Sequence, residues 1–254
     1  MKNVRPYFFI AVTFLTAFTS CKKDKQDDTA EETPVIQLQM DLYPQFGTET
    51  MKLDSVYVTD EGYKIKFTTL KCYMENVRNG GTILKDACLF DYGTNGTFLF
   101  KADGTPSAFS ALSMNIGVQS SINHNDPSAV PTSSALNILT ANDMHWGWNP
   151  GYIFVKIEAK ADTLVDAVDN FDLNVVFHAG TDAFLRDTTF ASINWVQQSD
   201  VLYNGTMKID LLEFLRGNSN PIDLKTEYTS HSAPGQEALT EKVVDNFKYA
   251  LSIE

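Results

Sequence analysis

The sequence is poor in positive charge, in cysteine and in long apolar segments. Its 254 residues include 20 Lys and Arg against 32 Asp and Glu, which gives a formal net charge of −12 at pH 7. Nucleic-acid binding depends on clustered basic side chains that neutralise phosphates, so this composition argues against a DNA or RNA partner. Three cysteines are too few for a scaffold built on disulfides. With 43% hydrophobic residues, the chain is expected to be an acidic, globular protein.

Motifs that mark common enzyme classes are also absent from the sequence. No glycine-rich phosphate loop follows a predicted strand, and no His-Glu-x-x-His, Cys-x-x-Cys or Gly-x-Ser-x-Gly segment occurs. The acidic segment 162–169 lacks the glycine and the terminal glutamate of an EF-hand loop. Because no nucleophile and base can be nominated, we expect a binding protein and not an enzyme.

The N-terminus has the features of a bacterial lipoprotein signal. Lys2 and Arg5 precede an apolar stretch at residues 7–18, which is too short to span a bilayer stably. The small residues after it end at Cys21, which resembles a lipobox. Residues 1–20 are therefore predicted to be a signal peptide and Cys21 to carry the lipid. The alternative is a buried apolar helix with a chance cysteine.

Residues 21–35 are predicted to form a flexible acidic tether, because they are polar and offer little apolar surface to a core. A lysine followed by an acidic run after the lipidated cysteine is similar to the surface-export signal of Bacteroidetes lipoproteins. The resemblance implies an outer-membrane lipoprotein of the cell envelope, on its periplasmic or its cell-surface face.

The remaining cysteines, Cys72 and Cys88, leave three alternatives open. In an oxidising compartment they could be joined by a disulfide, which would contribute about 3 kcal/mol on the chain-entropy model. They could equally be two buried thiols, or soft ligands for a metal. The sequence does not show whether their Cα atoms approach each other.

Strand patterns dominate residues 36–254, which are predicted to form one domain. Apolar and polar residues alternate with period two at 63–68, 153–160 and 171–178, as expected of strands that cover a core on one side. Shorter strand candidates are Ile36–Tyr43, Thr82–Phe90, Thr97–Lys101 and Phe109–Val118.

Helical patterns are confined to residues 210–217 and 236–251. In the second segment, apolar residues recur at every fourth position, which is typical of an amphipathic helix packed on a sheet. The alternative for residues 247–253 is a final strand. The predicted fold is all-β: a single antiparallel β-sandwich with one or two short helices.

The least generic part of the sequence is the segment from Asp143 to Tyr152. It places His145, Trp146 and Trp148 in a turn that leads into a strand. The polar, irregular segment Gly117–Ser134 precedes it, and loops of that length in a compact domain are more often functional than idle.

Three motifs, in this order, resemble the MbnP-like family of copper-binding proteins, which was first associated with methanobactin operons. They are Phe67-x-x-Leu70-x-x-Tyr73-x-x-Asn76, Met144-x-Trp146-x-Trp148-x-x-Gly151-Tyr152 and Phe177-His178-x-Gly180. The segment Asp245–Phe247 is similar to the family's closing residues. The resemblance covers residues 36–252.

The resemblance implies an extracytoplasmic copper-binding protein with a β-sandwich core. In some members and relatives a tryptophan is oxidised to kynurenine and joins histidine in coordinating copper, and dihaem peroxidase-like enzymes are the modifying partners. The corresponding metal-site candidates in this chain are His178, His145, Trp146 and Trp148. An imidazole and an aromatic amine are suitable ligands for Cu(I).

One departure from the family pattern keeps a second function open. Related kynurenine sites have a histidine two residues after the modified tryptophan, where this chain has Trp148. Alternatively, both tryptophans cap the sandwich, and the protein is a metal-free lipoprotein whose aromatic turn binds a carbohydrate or protein partner. The histidines distinguish these functions, because the second needs none.

The other candidate ligands are expected to have structural roles. His124 and His231 are expected to face solvent, and Met74 and Met144 to fill the core. His178 is expected to point away from the core, because the apolar residues of its strand share the opposite face: Phe171, Leu173, Val175 and Phe177.

Overall fold

A computed structural model of the protein describes residues 34–254 except Trp148, Asn149 and Ala167. The predicted signal peptide (1–20), the predicted lipidation site Cys21, residues 21–33 of the tether and the candidate ligand Trp148 lie outside the described residues. Within the described part of the chain, no helix is both long and apolar enough to cross a membrane.

Strands make up most of the regular structure. In chain order they are β1 (Gln37–Phe46), β2 (Glu49–Thr50), β3 (Tyr57–Val58), β4 (Lys64–Asn79), β5 (Thr82–Asp91), β6 (Phe98–Asp103), β7 (Leu112–Ile116), β8 (His145–Gly147), β9 (Gly151–Asp162), β10 (Leu173–Gly180), β11 (Arg186–Phe190), β12 (Val196–Ser199), β13 (Leu202–Asp210), β14 (Thr229–Ser230) and β15 (Leu251–Ile253). The helices are α1 (Tyr92–Asn95), α2 (Ser120–Asn123), α3 (Ile138–Ala141), α4 (Leu211–Arg216) and α5 (Glu237–Ala250), with 3-10 turns at Asn142–Met144 and Asp182–Phe184.

The strands form two sheets. The first sheet has the order β12-β13-β1-β2, with β6 also paired to β1 and β15 to β13. The second sheet has the order β11-β7-β4-β9-β10-β14, with β3 and β5 paired to β4 and β8 paired to β9. A continuous cluster of buried apolar side chains joins residues of both sheets with α4 and α5.

The predicted β-sandwich with few short helices is confirmed. Most neighbouring strands are antiparallel, as expected, but β1 pairs with β13 and β10 with β14 in parallel. The members of each parallel pair lie far apart in the sequence. Because no hairpin connects them, no tight turn imposes the antiparallel direction.

Most predicted elements form to within a few residues of their predicted bounds. The strand predicted at 63–68 is the beginning of the much longer β4. At α4, the Asp210 side chain accepts hydrogen bonds from the backbone of Leu212 and Glu213, and Gly217 ends the helix with φ 55°. The helix predicted at 236–251 forms as α5, which ends at Ala250. The strand considered as an alternative for residues 247–253 forms only from Leu251, as β15.

An irregularity in β4 explains an otherwise puzzling spacing in the Phe67-x-x-Leu70 motif. Residues three apart on a regular strand point to opposite faces, yet Phe67 and Leu70 are both buried in the core between the sheets. The register of β4 on β9 shifts between Phe67 and Thr69, which oppose Ala159 and Glu158. This bulge returns Leu70 to the core face.

Cys72 and Cys88 are two buried, unbonded thiols, so the structure does not contain the disulfide considered from the sequence. Cys72 lies opposite Phe90 and Cys88 opposite Met74, so the two cysteines are diagonal neighbours on β4 and β5. Diagonal Cα atoms in an antiparallel pair are about 7–8 Å apart, beyond the usual disulfide range. Burial raises the pKa of the Cys72 thiol well above its usual value and that of Cys88 to about 12.

We therefore predict that neither thiol reacts with Ellman's reagent in the folded protein, because both are buried and protonated at neutral pH. A Cys21→Ser variant removes the third cysteine from the measurement. The reagent should detect no reactive thiol in the native variant. It should detect two thiols per molecule after unfolding in guanidinium without reductant. Absence of the two equivalents after unfolding would mean that a bridge forms after all.

Candidate metal centre

The second sheet has one face in the main core and an outer face, which we define by the side chains of β4, β9 and β10 that point away from that core. Its members nearest to the site are Thr69, Lys71, Tyr73, Tyr152, Phe154, Lys156, Glu158 and His178. The outer face has an apolar half, where a second cluster of buried residues includes Tyr73, Tyr152 and Phe154. Its other half is charged and ends at His178.

The segment 117–147 covers the apolar half. Val118, Leu136 and Met144 pack in the same cluster as the aromatic rings beneath them. Tyr73 donates a hydrogen bond from Oη to the carbonyl of Ala135, and Tyr152 donates one from Oη to the carbonyl of Leu136. The long loop predicted to be functional is thus an ordered cover over the sheet.

Asn123 attaches the same loop to β9. Its fully buried side chain accepts a hydrogen bond from the backbone N–H of Tyr152 (2.8 Å) and donates one to Asp182 Oδ1 (2.8 Å). Gly151 has φ 76°, and a Cβ there would lie 2.3 Å from Asn123 Oδ1. Glycine in the Gly151-Tyr152 motif is therefore required by this close approach.

Trp146 packs against β10 where glycine leaves space. A Cβ at Gly180 would lie 2.7 Å from Cζ3 of the Trp146 ring and 2.6 Å from the carbonyl oxygen of Tyr152. The register of β10 on β9 shifts between Ala179 and Gly180, but Phe177 and Ala179 both lie in the main core, so His178 and Gly180 alternate with them on the outer side. The ring of Trp146 therefore lies on the same side of β10 as His178, and Phe177-His178-x-Gly180 and the tryptophan motif meet here.

His178 is held by a carboxylate. Its Nε2 lies 2.8 Å from Oε1 of Glu158, and Thr69 donates a hydrogen bond to the other oxygen, Oε2 (2.8 Å). Partial burial raises the pKa of Glu158, but the hydrogen bonds from Thr69 and His178 outweigh it and lower the pKa overall. Burial lowers the pKa of His178 despite the opposing effect of Glu158, so the imidazole is neutral at pH 7.

The charged half continues as a chain of ion pairs towards β8, the strand that contains Trp146. Asp143 accepts from Lys156 Nζ (2.6 Å) and from Lys71 Nζ (3.0 Å), and Lys71 also lies 3.0 Å from Asp91. Burial by itself would raise the pKa of Asp143. The hydrogen bonds from Lys156 and Lys71 have the larger combined effect, so the pKa is lowered overall. Asp143 thus fixes the residues just before β8 to β4 and β9. Residues 145–147 form this short strand where the sequence analysis expected a turn.

His231 lies beside His178, which the sequence did not indicate. The two imidazole rings are 4.9 Å apart between centroids and nearly perpendicular, at 81°. His231 is exposed, as expected, but its ring is turned to the site and not only to solvent.

His145 contacts a different part of the structure. It opposes Tyr152 across β8 and β9, and its ring packs edge-on against the Tyr152 ring with centroids 4.8 Å apart. Its Nε2 is buried and has no hydrogen-bond partner, and burial lowers the pKa of His145. The described contacts join His145 to Tyr152 and Trp146 to Gly180, and none joins His145 to His178.

The remaining candidates have structural surroundings. His124 Nε2 lies 3.0 Å from Asp182 Oδ2, within a cluster in which Ser120 and Asn123 also bond to Asp182. Met74 and Met144 are fully buried in the two apolar clusters, as expected.

His178, with Glu158 on one ring nitrogen, could serve as one ligand of a copper ion. Metal-bound imidazoles usually have a carboxylate on their second nitrogen, which is the arrangement of Glu158 and His178. In the described residues, no group of three or more His, Cys, Asp or Glu is arranged to hold a metal.

The sequence model of the MbnP family matches residues 35–234, most of the chain. The chain belongs to the MbnP family. Among solved structures, MbnP from Methylosinus trichosporium matches with a TM-score of 0.55 and 13% identity, over 87% of this chain and 99% of that one. At that identity the likeness shows the fold. No curated protein matched the chain significantly.

Two residues of the centre in this MbnP-family chain were missed by sequence reasoning. Glu158 belongs to a strand in which it reads as one of several alternating polar residues. His231 lies 53 positions after His178, in a polar turn next to Pro234 and Gly235. For Glu158 alone the sequence contained a weak indication of its position, since it lies with Lys156 on the polar face of a predicted strand.

We predict that Gly180→Ala destabilises the protein by about 1–3 kcal/mol, because the new methyl group overlaps the Trp146 ring and the Tyr152 carbonyl. Denaturant unfolding followed by tryptophan fluorescence measures this. Gly81→Ala is the matched control, because a Cβ there meets nothing within 4 Å. Equal free energies of unfolding for the two variants would show that Trp146 does not pack on Gly180.

Proposed function

We propose that this protein is an extracytoplasmic, lipid-anchored copper-binding protein in which His178 is a copper ligand and Trp146 belongs to the same site. The observation that carries the proposal is the juxtaposition of Trp146 and His178 on one side of β10 in a member of the MbnP family. Two motifs more than thirty residues apart are brought together by a glycine that leaves room for the indole ring.

The chemistry of His178 supports a soft or borderline metal. Glu158 occupies Nε2, so Nδ1 is the nitrogen left for coordination. A carboxylate on the far nitrogen fixes the ring orientation and increases the donor strength of the imidazole. Burial keeps the ring neutral, which is the form that binds metal.

The proposal also includes oxidation of a tryptophan to kynurenine by a dihaem peroxidase-like partner. Oxidative opening of the indole ring and loss of its formyl carbon leave an aromatic amine, which imidazole-rich copper sites accommodate. Of the two candidate tryptophans, Trp146 is the one that the structure describes. It is partly exposed and packs on Gly180, two residues after His178. An amine on this residue would be a donor of the kind that the site otherwise lacks.

The proposed location follows from the N-terminus. Cys21 would anchor the chain in the outer membrane through its lipid, and residues 21–35 would separate the anchor from the domain. Copper supply and tryptophan oxidation both suit the cell envelope, where the chain would meet the ion and the modifying enzyme.

We predict that His178→Ala weakens copper binding by at least about 100-fold, since it removes the ligand itself and not only a supporting contact. The affinity is measured by competition with a chromogenic Cu(I) chelator, on protein purified from the native host. His124→Ala is the control, because His124 lies on the Asp182 cluster and should not contribute. Unchanged affinity in His178→Ala would exclude His178 as a ligand.

We also predict that peptide mass spectrometry of the host-purified protein finds one tryptophan of the segment 143–152 with a net gain of one oxygen and loss of one carbon. Trp146 is the expected position. Protein from a host that lacks a dihaem peroxidase-like enzyme should keep the unmodified mass and bind copper more weakly. An unmodified segment in copper-loaded protein from the native host would remove kynurenine from the proposal.

A further inference from the structure

A cleft follows the edges of two strands, one from each sheet. Among the described strands, β5 pairs only with β4 and β6 pairs only with β1, so each has one edge without a strand neighbour. Two adjoining cavities of about 450 Å³ and 770 Å³ lie here, and residues of β5, β6 and the loop 117–147 line both of them. These volumes are in the range of small-molecule binding sites.

Two lysines line the part of the cleft that the cavities share. The residues that line both cavities are Lys85, Ala87, Lys101 and Ser133, so this shared part has two positive charges and no carboxylate. Neither lysine forms an ion pair or a side-chain hydrogen bond with a described residue. Burial raises the pKa of Cys88 in the wall of the first cavity to about 12, and the charge of Lys85 opposes this effect, so the ammonium lies near that wall.

The carboxylates that line the cleft lie outside its shared part. Asp91 and Asp143 line the first cavity, and an oxygen of each lies 3.0 Å from Lys71 Nζ. Asp103 lines the second cavity and accepts a hydrogen bond from a glutamine of β1 (3.1 Å), while Asp86 in the same cavity is exposed to solvent. The two shared lysines are therefore the cations of the cleft that no carboxylate contacts.

The first cavity adds apolar surface to this positive charge. Leu89, Leu99 and Phe100 line it, together with two side chains that remain open to solvent. Of these, Phe98 is 40% exposed and Leu139 is 80% exposed. Covering such side chains with the apolar part of a ligand is favourable, because it removes hydrocarbon surface from water.

We propose that the cleft binds a small amphipathic carboxylate, with the carboxylate between Lys85 and Lys101 and the apolar body in the first cavity against Phe98 and Leu139. Two ammonium groups without a counter-ion select an anion, since hydrogen bonds between charged groups are the stronger kind. The apolar wall selects a ligand with a hydrocarbon or aromatic part. No histidine lines either cavity among the described residues, so this binding is independent of the proposed copper function.

The test titrates 2-naphthoate and its uncharged analogue 2-naphthamide into the full-length protein by calorimetry. The two probes have the same ring system and differ in charge. Naphthoate should bind at one site and at least about tenfold more tightly than naphthamide, because only its carboxylate forms charge-assisted bonds. Lys85→Gln and Lys101→Gln should each weaken naphthoate binding at least about threefold and leave naphthamide binding unchanged.

Ser133→Trp tests the location, because an indole ring at this exposed loop position fills the shared part of the cleft and should abolish naphthoate binding. Lys160→Gln is the matched control, since Lys160 is exposed and lines neither cavity, and it should keep the wild-type affinity. A thermal melt of each variant verifies folding.

Three results would overturn the inference. The first is absence of naphthoate binding to the wild-type protein at millimolar concentration. The second is equal affinity for naphthoate and naphthamide, which would mean a cleft that takes any apolar ring. The third is wild-type naphthoate affinity in both lysine variants or in Ser133→Trp, which would place the bound probe elsewhere on the protein.

Discussion

The arrangement of the centre depends on the need to cover the apolar half of the outer face. Tyr73, Tyr152 and Phe154 would expose a large aromatic patch on the second sheet if nothing packed over them. The loop 117–147 covers them. The hydroxyls of Tyr73 and Tyr152 donate to loop carbonyls, and the Tyr152 N–H donates to the Asn123 side chain, so these bonds fix the loop on the sheet. Because Trp146 lies near the end of that cover, its ring packs at Gly180, the last residue of β10.

The charged half of the same face has the complementary role of keeping the site polar and oriented. Lys156 and Asp143 join the tryptophan turn to β9, and Glu158 orients His178 one position further along the face. The proposed metal site would use this polar arrangement, whereas the alternative of an aromatic turn that binds a carbohydrate or protein would not need it. Trp146 is partly exposed and packs against Gly180.

Period-two patterns were sufficient to predict most strands, because each strand covers a core on one side and its apolar and polar residues must alternate. They failed to predict the full length of β4, where a bulge after Phe67 and an irregularity near Val77 interrupt the alternation. The patterns also could not show that β1 pairs in parallel with β13, since strand direction depends on connections that span more than 150 residues. The diagonal placement of Cys72 and Cys88 is likewise a matter of register, which cysteine spacing does not contain.

The sequence by itself determined the sandwich, the family and the candidates His178 and Trp146, because these depend on local alternation and on short motifs. Only the tertiary structure decided which candidates meet. Gly180 admits the ring of Trp146, Glu158 holds His178, and the turn after β14 brings His231 to the same place. These contacts join residues from three distant segments, and their formation depends on strand register and on a single missing side chain, which no local pattern encodes.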